Sequence, residues 1–321
     1  MAAGDKKYWL GGASGATTTW SNAANWSTSR TGTGGNAAPA DGEIPVIPSS
    51  AAYDITGLDT TAAQFRGLIV EPGCTVNIGA IGNPLIIDLK DDTTYYDATL
   101  AGTGTIYVQT NNYKTITVTD AGASPGTGLY ALNITGVTDA GAGAGASVTV
   151  SCETGTSIAL APTAGNLFET AAINVTGGDV YVGAGVTAND GAAAVPVTAS
   201  GGTVISDCPL TVLTAKNNAS VTHNTGAVTT ANISGATLTY NSAGTLTTLN
   251  LRKSASADFS KSLSAKTVTT ANIYESGTIN DPNKVVVWTN GILLKTGTKP
   301  SSVNLTLGSD TTGTDITVQV A

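Results

Sequence analysis

The hexapeptide Val228-Thr229-Thr230-Ala231-Asn232-Ile233 returns letter for letter as Val268-Thr269-Thr270-Ala271-Asn272-Ile273. It belongs to a series in which Leu213-Thr214-Ala215, Ala231-Asn232-Ile233, Leu249-Asn250-Leu251 and Ala271-Asn272-Ile273 recur at steps of 18, 18 and 22 residues. A second series keeps phase with it: Ala219-Ser220-Val221-Thr222, Ala236-Thr237-Leu238-Thr239, Ala255-Ser256-Ala257-Asp258 and Ser276-Gly277-Thr278-Ile279. Upstream, Thr176-Gly177-Gly178-Asp179-Val180 and Ser200-Gly201-Gly202-Thr203-Val204 repeat at a step of 24. A period near 20 residues, with short alternating segments and Gly or Asn between them, is what a parallel β-helix or β-solenoid requires. Each coil leaves its backbone edges unpaired until the next stacks on it about 4.8 Å along the axis. About 11 coils between residues 60 and 282 would make a rod on the order of 50 Å long. A β-sandwich or jelly roll also gives short Thr-rich strands, but it does not predict a phrase that returns in register four times. From 60 to 175 the repeat is less regular, and longer coils or a different β-layer are expected there.

Apolar residues at i, i+3, i+4 and i+7 are nowhere sustained for three turns, so helix is expected to be close to absent. Runs such as Thr115-Ile116-Thr117-Val118, Ser147-Val148-Thr149-Val150 and Asp179-Val180-Tyr181-Val182 alternate instead, as strands with one face inward and hydroxyls outward. Charged residues are 11% of the chain, against about a quarter in an ordinary domain, so Thr, Ser, Asn and Gly must cover the surface. The 41% hydrophobic fraction excludes disorder, and 321 residues can bury a sizeable core. A net charge of -8 repels phosphate backbones, so no nucleic-acid partner is expected. No apolar stretch approaches the length that spans a bilayer, so no membrane partner is expected either. The opening Met1 to Lys7 leads into too few apolar residues before Gly11 for a signal peptide, and a soluble chain made in a cytoplasm is expected.

Both ends differ from the middle. Trp9, Trp20 and Trp26 are three of the four tryptophans, and they stand in a background of Gly, Ser, Asn, Thr and Ala. The other end carries Val285-Val286-Val287-Trp288, Gly291-Ile292-Leu293-Leu294, Val303-Asn304-Leu305-Thr306-Leu307 and Asp315-Ile316-Thr317-Val318. A bare terminal coil would expose a row of unpaired backbone groups, so a solenoid needs covered ends. The expected organisation is a Trp-rich N-terminal cap or attachment segment over 1–59, a solenoid body over 60–282 and a β-strand C-terminal module over 283–321.

The N-terminal string Lys7-Tyr8-Trp9-Leu10-Gly11-Gly12, then Thr19-Trp20-Ser21-Asn22-Ala23-Ala24-Asn25-Trp26-Ser27, then Gly34-Gly35-Asn36-Ala37-Ala38-Pro39 leads into the turn Asp41-Gly42 and the strand Glu43-Ile44-Pro45-Val46-Ile47. This opening resembles one found on tailed-bacteriophage structural proteins with β-rich, Gly- and Thr-rich bodies. Pro45 departs from an ordinary central strand. The match covers about the first 50 residues; beyond it, composition and repeat style agree. The resemblance implies a non-enzymatic virion component. Read without it, the three indoles are large apolar rings in a segment too Gly-rich to build its own core, which suits a plug on the first coil. The alternative is that some of them anchor into a partner, since Trp is enriched in interface hot spots.

Hydrolases and lyases built on β-helices use paired carboxylates, so clustered acids are the candidates for chemistry. These are Asp88 with Asp91 and Asp92, Asp54 with Asp59, and Asp120 with Asp139; all stand in turn-like contexts that favour turn-forming or solvated roles. Tyr107, Tyr113, Tyr130, Tyr181, Tyr240 and Tyr274 read as dispersed. The single histidine, His223, takes the slot of Tyr240 in the next repeat, which suits strand-face packing rather than a general base. The run Gly141-Ala142-Gly143-Ala144-Gly145-Ala146 lacks the Lys and the helix of a phosphate loop. Cys74, Cys152 and Cys208 read as small buried thiols rather than zinc ligands or a disulfide framework. No catalytic, cofactor-binding or metal-binding residue is expected, and Trp9, Trp20 and Trp26 are the cap or partner-anchor candidates.

The expectation is an all-β chain, a right-handed parallel β-helix or β-solenoid with a Trp-rich N-terminal cap and a β-strand C-terminal module. The resemblance implies a virion component without fixing its place on the particle; the function expected is an outer-capsid decoration or cement protein, a role that needs adhesion without chemistry, with no enzymatic activity or cofactor. It would be made in the host cytoplasm, assemble as a homotrimer and bind the major capsid protein. The alternatives are a tail fibre or tailspike that binds a receptor and, from another class, a β-helical polysaccharide depolymerase.

Overall fold

The computed structural model describes residues 5–11, 18–55, 65, 67–71, 73–80, 83–88, 97–100, 105–111, 115–119, 121–124, 126, 127, 129–136, 147–163, 165, 167–188, 192, 194–308 and 318–320. Among them, only Ala23–Asn25 and Pro300–Ser302 are helical, each a single 3-10 turn, and the regular structure is otherwise strand. Most strands belong to two long parallel sheets. Among the described residues the first has 12 strands, from Asp97–Leu100 to Val318–Val320, and the second has 11, from Leu85–Asp88 to Val303–Leu307. The chain alternates between them, so each turn gives a strand to both sheets and pairs with the turns before and after it. The result is a β-solenoid of about ten turns, on the order of 50 Å long at the strand spacing.

The register of the ladders is the register of the sequence repeat. Leu213, Ala231, Leu249 and Ala271 are successive partners in the first sheet, and Ser220, Thr237, Ser256 and Thr278 in the second. Asp179 and Val180 lie on Thr203 and Val204, as the step of 24 predicts. The solenoid also continues through the less regular stretch. Register partners there are 26 residues apart, as at Ile106/Leu132 and Leu132/Ile158, against 17 at Ser220/Thr237. Longer coils, with the extra residues in the connections, account for the weaker repeat.

Apolar side chains stack in columns inside the two sheets. Leu210, Val228, Leu246 and Val268 form one, Ala215, Ile233, Leu251 and Ile273 another, and Val204, Val221, Leu238, Ala257 and Ile279 face them from the second sheet; all are buried. One contiguous core runs from Trp9 to Leu294. Left-handed residues turn the chain from the first sheet into the second, at Gly178, Gly202, Asn217–Asn218, Gly235, Lys253–Ser254 and Glu275. At Gly202 the need for glycine is steric as well, because a Cβ there would run into the Gly178 carbonyl oxygen of the preceding turn.

Amide side chains form ladders on the outside. Asn272 donates to Asn250 at 2.9 Å and Asn250 to Asn232 at 2.8 Å. At the opposite corner Asn241 donates to Asn224 at 3.0 Å and Asn224 to Asp207 at 2.9 Å. Both ladders donate toward the N-terminus, and each ends in a buried Oδ1 without a partner, on Asn272 and Asn241. The Asn272 ladder stops because its neighbour in the next turn is Leu293, which has nothing to donate.

The segment after residue 282 is strand-rich, and its strands extend the solenoid sheets. Ile292–Leu294 and Val318–Val320 add to the first sheet in parallel register, and Val303–Leu307 adds to the second. At the other end, Trp26–Ser27, Lys6–Trp9, Ile44–Ile47 and Ile69–Val70 make a separate four-stranded sheet. Ile55 bridges to Ile78, and Ile78 to Ile106, which ties this module to the second sheet. The three indoles are interior. Trp26 is edge-on to both Trp9 and Trp20, at centroid distances of 5.2 and 4.7 Å, and Trp20 lies 5.7 Å from Phe65. Trp26 Nε1 donates to the Trp20 carbonyl oxygen at 2.7 Å. Trp26→Ala is therefore expected to cost about 3–5 kcal/mol of stability, the range for a buried aromatic, read by denaturant unfolding of the isolated protein. A variant that keeps its stability and loses only binding to its assembly would instead make this ring a partner anchor.

Candidate functional site

Most of the acids considered for chemistry fall outside the described residues. Asp59, Asp91, Asp92, Asp120 and Asp139 lie outside the described residues, as do Tyr113 and the run 141–146, and Asp88 is described by its backbone alone. Asp54 accepts from the backbone N and the side-chain amide of Asn77, at 2.8 and 3.0 Å. Asp281 is fully buried and accepts from the backbone N–H groups of Val285 and Val286. Asp258 accepts from Ser260 N and Asn280 Nδ2, both at 2.9 Å. Burial opposes ionisation of Asp258, yet these bonds to its charged form outweigh it and hold the carboxyl below the usual range. Among the described residues, no three His, Cys, Asp or Glu side chains come together to hold a metal. All three cysteines are buried, and burial pushes the Cys208 thiol up to about 11.

His223 lies inside the solenoid, in an aromatic column that the sequence foreshadowed only through the His223/Tyr240 correspondence. Ring centroids are 5.2 Å apart from His223 to Tyr240, 5.9 Å from Tyr240 to Phe259 and 5.6 Å from Phe259 to Trp288. The His223 Nε2 stands 2.9 Å from the Gly226 carbonyl oxygen, so Nε2 carries the proton and donates; Nδ1 is buried without a partner. Tyr240 repeats the contact one turn on, its hydroxyl donating to the Gly244 carbonyl oxygen at 2.9 Å.

Two outer features were not read from the sequence. Tyr130 and Tyr181 are stacked, with centroids 5.2 Å apart and rings 16° from parallel. The Tyr181 hydroxyl donates to Asp207 Oδ2 at 2.7 Å, while Asp207 Oδ1 accepts from Asn224. Burial first, and then this bond and charge, push Tyr181 well above the ordinary tyrosine range; Tyr130 is raised by burial and by the same carboxylate. Both Asp207 oxygens are thus engaged in holding turns together.

The second feature is a cleft of about 390 Å³ on the first sheet beside its corner with the second. Its origin is one missing residue. The corner turns through Asn217 and Asn218 in one coil and through Lys253 and Ser254 two coils later, each a left-handed pair, but through Gly235 alone in the coil between. The short corner is tied to both neighbours: Asn218 N donates to the Gly235 carbonyl oxygen at 2.7 Å, and Gly235 N to that of Arg252 at 3.1 Å. A Cβ on Gly235 would meet only the Lys253 carbonyl oxygen, at 3.6 Å, so the space above it is open. The ladder residues Asn232 and Asn250 line it together with Lys216, Arg252 and Lys253. The Arg252 guanidinium sits 3.7 Å from the ring centroid of Tyr274, a cation–π contact that fixes its position. No acidic side chain lines the cleft. This wall can donate hydrogen bonds through amides and cations, and it suits an anionic, hydroxyl-rich ligand better than an apolar one.

Compared with protein-family models, with curated proteins and with solved structures, the chain matches none.

Burial drives the pKa of His223 below 6.5, while the bond to Gly226 and the charge of Asp207 oppose the shift. The unfolded chain therefore takes up the proton at a higher pH than the folded one. Stability is fully present above about 6.5 and falls as pH drops from there toward the lowered folded value. Because the chain has one histidine, thermal melts between pH 7.5 and 5.5 isolate the effect. His223→Tyr, which copies the next coil, is expected to flatten that dependence; an unchanged slope would contradict the assignment.

Proposed function

We propose that this chain is a non-enzymatic structural protein of a tailed-phage virion, an outer-capsid decoration or cement protein that binds the major capsid protein as a homotrimer. The observation that carries the reading is the N-terminal pattern of Tyr8-Trp9, Gly11-Gly12, Trp20 and Asn25-Trp26-Ser27, which resembles that class and folds around its own tryptophans next to a rigid rod. Several of the described carboxylates add support. Asp54, Asp207, Asp258 and Asp281 each hold adjacent segments together, and Glu71 pairs with Arg30 while accepting from Ser49 N. Adhesion without chemistry needs a stiff body with many hydrogen-bonding groups on its outside, and the Asn and Thr faces supply them.

The cationic cleft favours a second reading, a tail fibre or tailspike that engages a receptor. A depolymerase would need another carboxylate about 5 to 9.5 Å from Asp207, beside the stacked tyrosines. Copy number relative to the major capsid protein, by quantitative mass spectrometry of purified particles, separates the first two: hundreds of copies are expected for decoration, whereas a dozen or so would move the chain to the tail. Native mass spectrometry of the purified protein is expected to give the trimer mass; a monomer in solution and on particles would overturn the trimeric part.

A further inference from the structure

We propose that the cleft at the Gly235 corner binds acidic saccharides, with Lys216 and Arg252 clamping a carboxylate and the Asn232 and Asn250 amides reading the hydroxyl groups beside it. Lys216, Ser234 and Arg252 are register partners in three successive coils. The two cations therefore stand two strand spacings apart, roughly 10 Å between backbones, on either side of a small hydroxyl residue. Lys216 is long enough to reach over Ser234 toward Arg252, whose guanidinium rests on Tyr274 of the following coil, and the short corner leaves room between them for a ligand group. Lys253 adds a third positive charge from the taller corner, and Arg252 is held by Tyr274 rather than by a carboxylate. The cations are thus available to an anion from outside.

The location is unusual in a chain of net charge -8. Residues 210–321 hold eight basic and five acidic side chains, whereas 1–209 hold six and 17. The cleft lies in the positive third, so an anion is drawn to this face and repelled from the rest. With the ladder bonds in place, Asn232 keeps both amide hydrogens and Asn250 keeps one, and these are donors that a sugar hydroxyl can accept. A protein partner would call for aromatic or aliphatic anchor pockets, whereas apart from Ile233 the lining here is glycine and polar or cationic residues. A nucleic-acid strand would call for exposed rings on which bases stack, and Tyr274 is already covered by Arg252. The site belongs to the solenoid wall and stands independently of the virion role.

The test is isothermal titration of the full chain with a short galacturonate oligomer, with a neutral maltose oligomer and a short oligothymidylate as comparisons. The galacturonate oligomer is expected to bind and to weaken with added salt. Affinity is expected to drop at least tenfold in Lys216→Gln/Arg252→Gln and in Ser234→Glu, which places a negative charge between the cations. A double variant with the same change in net charge away from the cleft, Lys261→Gln/Lys299→Gln, is expected to bind like the parent. Thermal melts check that each variant is folded, and the two cleft variants fail independently if one is not. Absence of galacturonate binding, equal loss in the charge-matched control, equal binding of the maltose oligomer, or tighter binding of the oligothymidylate would each overturn the proposal.

Discussion

The parallel hydrogen-bond ladder between consecutive coils is the constraint on which everything else in this molecule depends. Within a coil the strands lie in different sheets, so a strand's N–H and C=O groups find their partners in the coils above and below, as Leu210 N does at the Ala227 carbonyl oxygen and Val228 N at that of Thr245. Polar satisfaction and burial of the apolar columns are therefore the same event, and stability accumulates from nearest-neighbour contacts. The ladder also dictates side-chain choice. A residue outside the solenoid meets its own counterpart about 4.8 Å away, and a type that bonds to itself is favoured there. Asparagine does this with both ends of its amide, which explains Asn232, Asn250 and Asn272 in register.

That same relation made much of the fold legible. Because each residue's neighbour in space is its counterpart in the next repeat, the phrases ending in Ile233, Leu251 and Ile273 marked both the strands and their pairing. Legibility faded where coils lengthen. Between Ile106 and Ile158 the second sheet keeps a step of 26, while the first steps by 32 at Thr115/Ser147 and by 25 at Ser147/Ala172, so no single spacing carries the repeat. It faded again after residue 282, where Leu293 replaces the asparagine of the phrase and Trp288 joins the aromatic column. The change of vocabulary looked like a new module, whereas Ile292 to Leu294 still pair with Ala271 to Ile273 in the old register.

The candidate site was far less legible, for a geometric reason. The cleft arises because the corner at Gly235 is one residue shorter than its neighbours, a difference visible only once the coils are aligned in space. Its cations, Lys216 and Arg252, end strands 36 residues apart, and nothing in their spacing joins them. Tyr130 and Tyr181 lie 51 residues apart in coils of unequal length, so no fixed spacing announces their stacking. His223 was the exception: its correspondence with Tyr240 placed it on the packing face, and the ring does sit in the core.

The axial direction of the inter-coil hydrogen bonds also sets how the rod carries force. Tension applied between its two ends loads the coils in series, so each junction bears the full pull and the weakest yields first. The two-residue strand at Ile69–Val70 offers far fewer bonds than the seven-residue strands at Leu210–Lys216, Val228–Ser234 and Leu246–Arg252. Stretching would then open the short end junctions, at Ile69–Val70 and at Val318–Val320, before the body, while a load across the axis is shared by many coils at once. Such a rod would yield at its ends under tension while the long strands of the body stay closed.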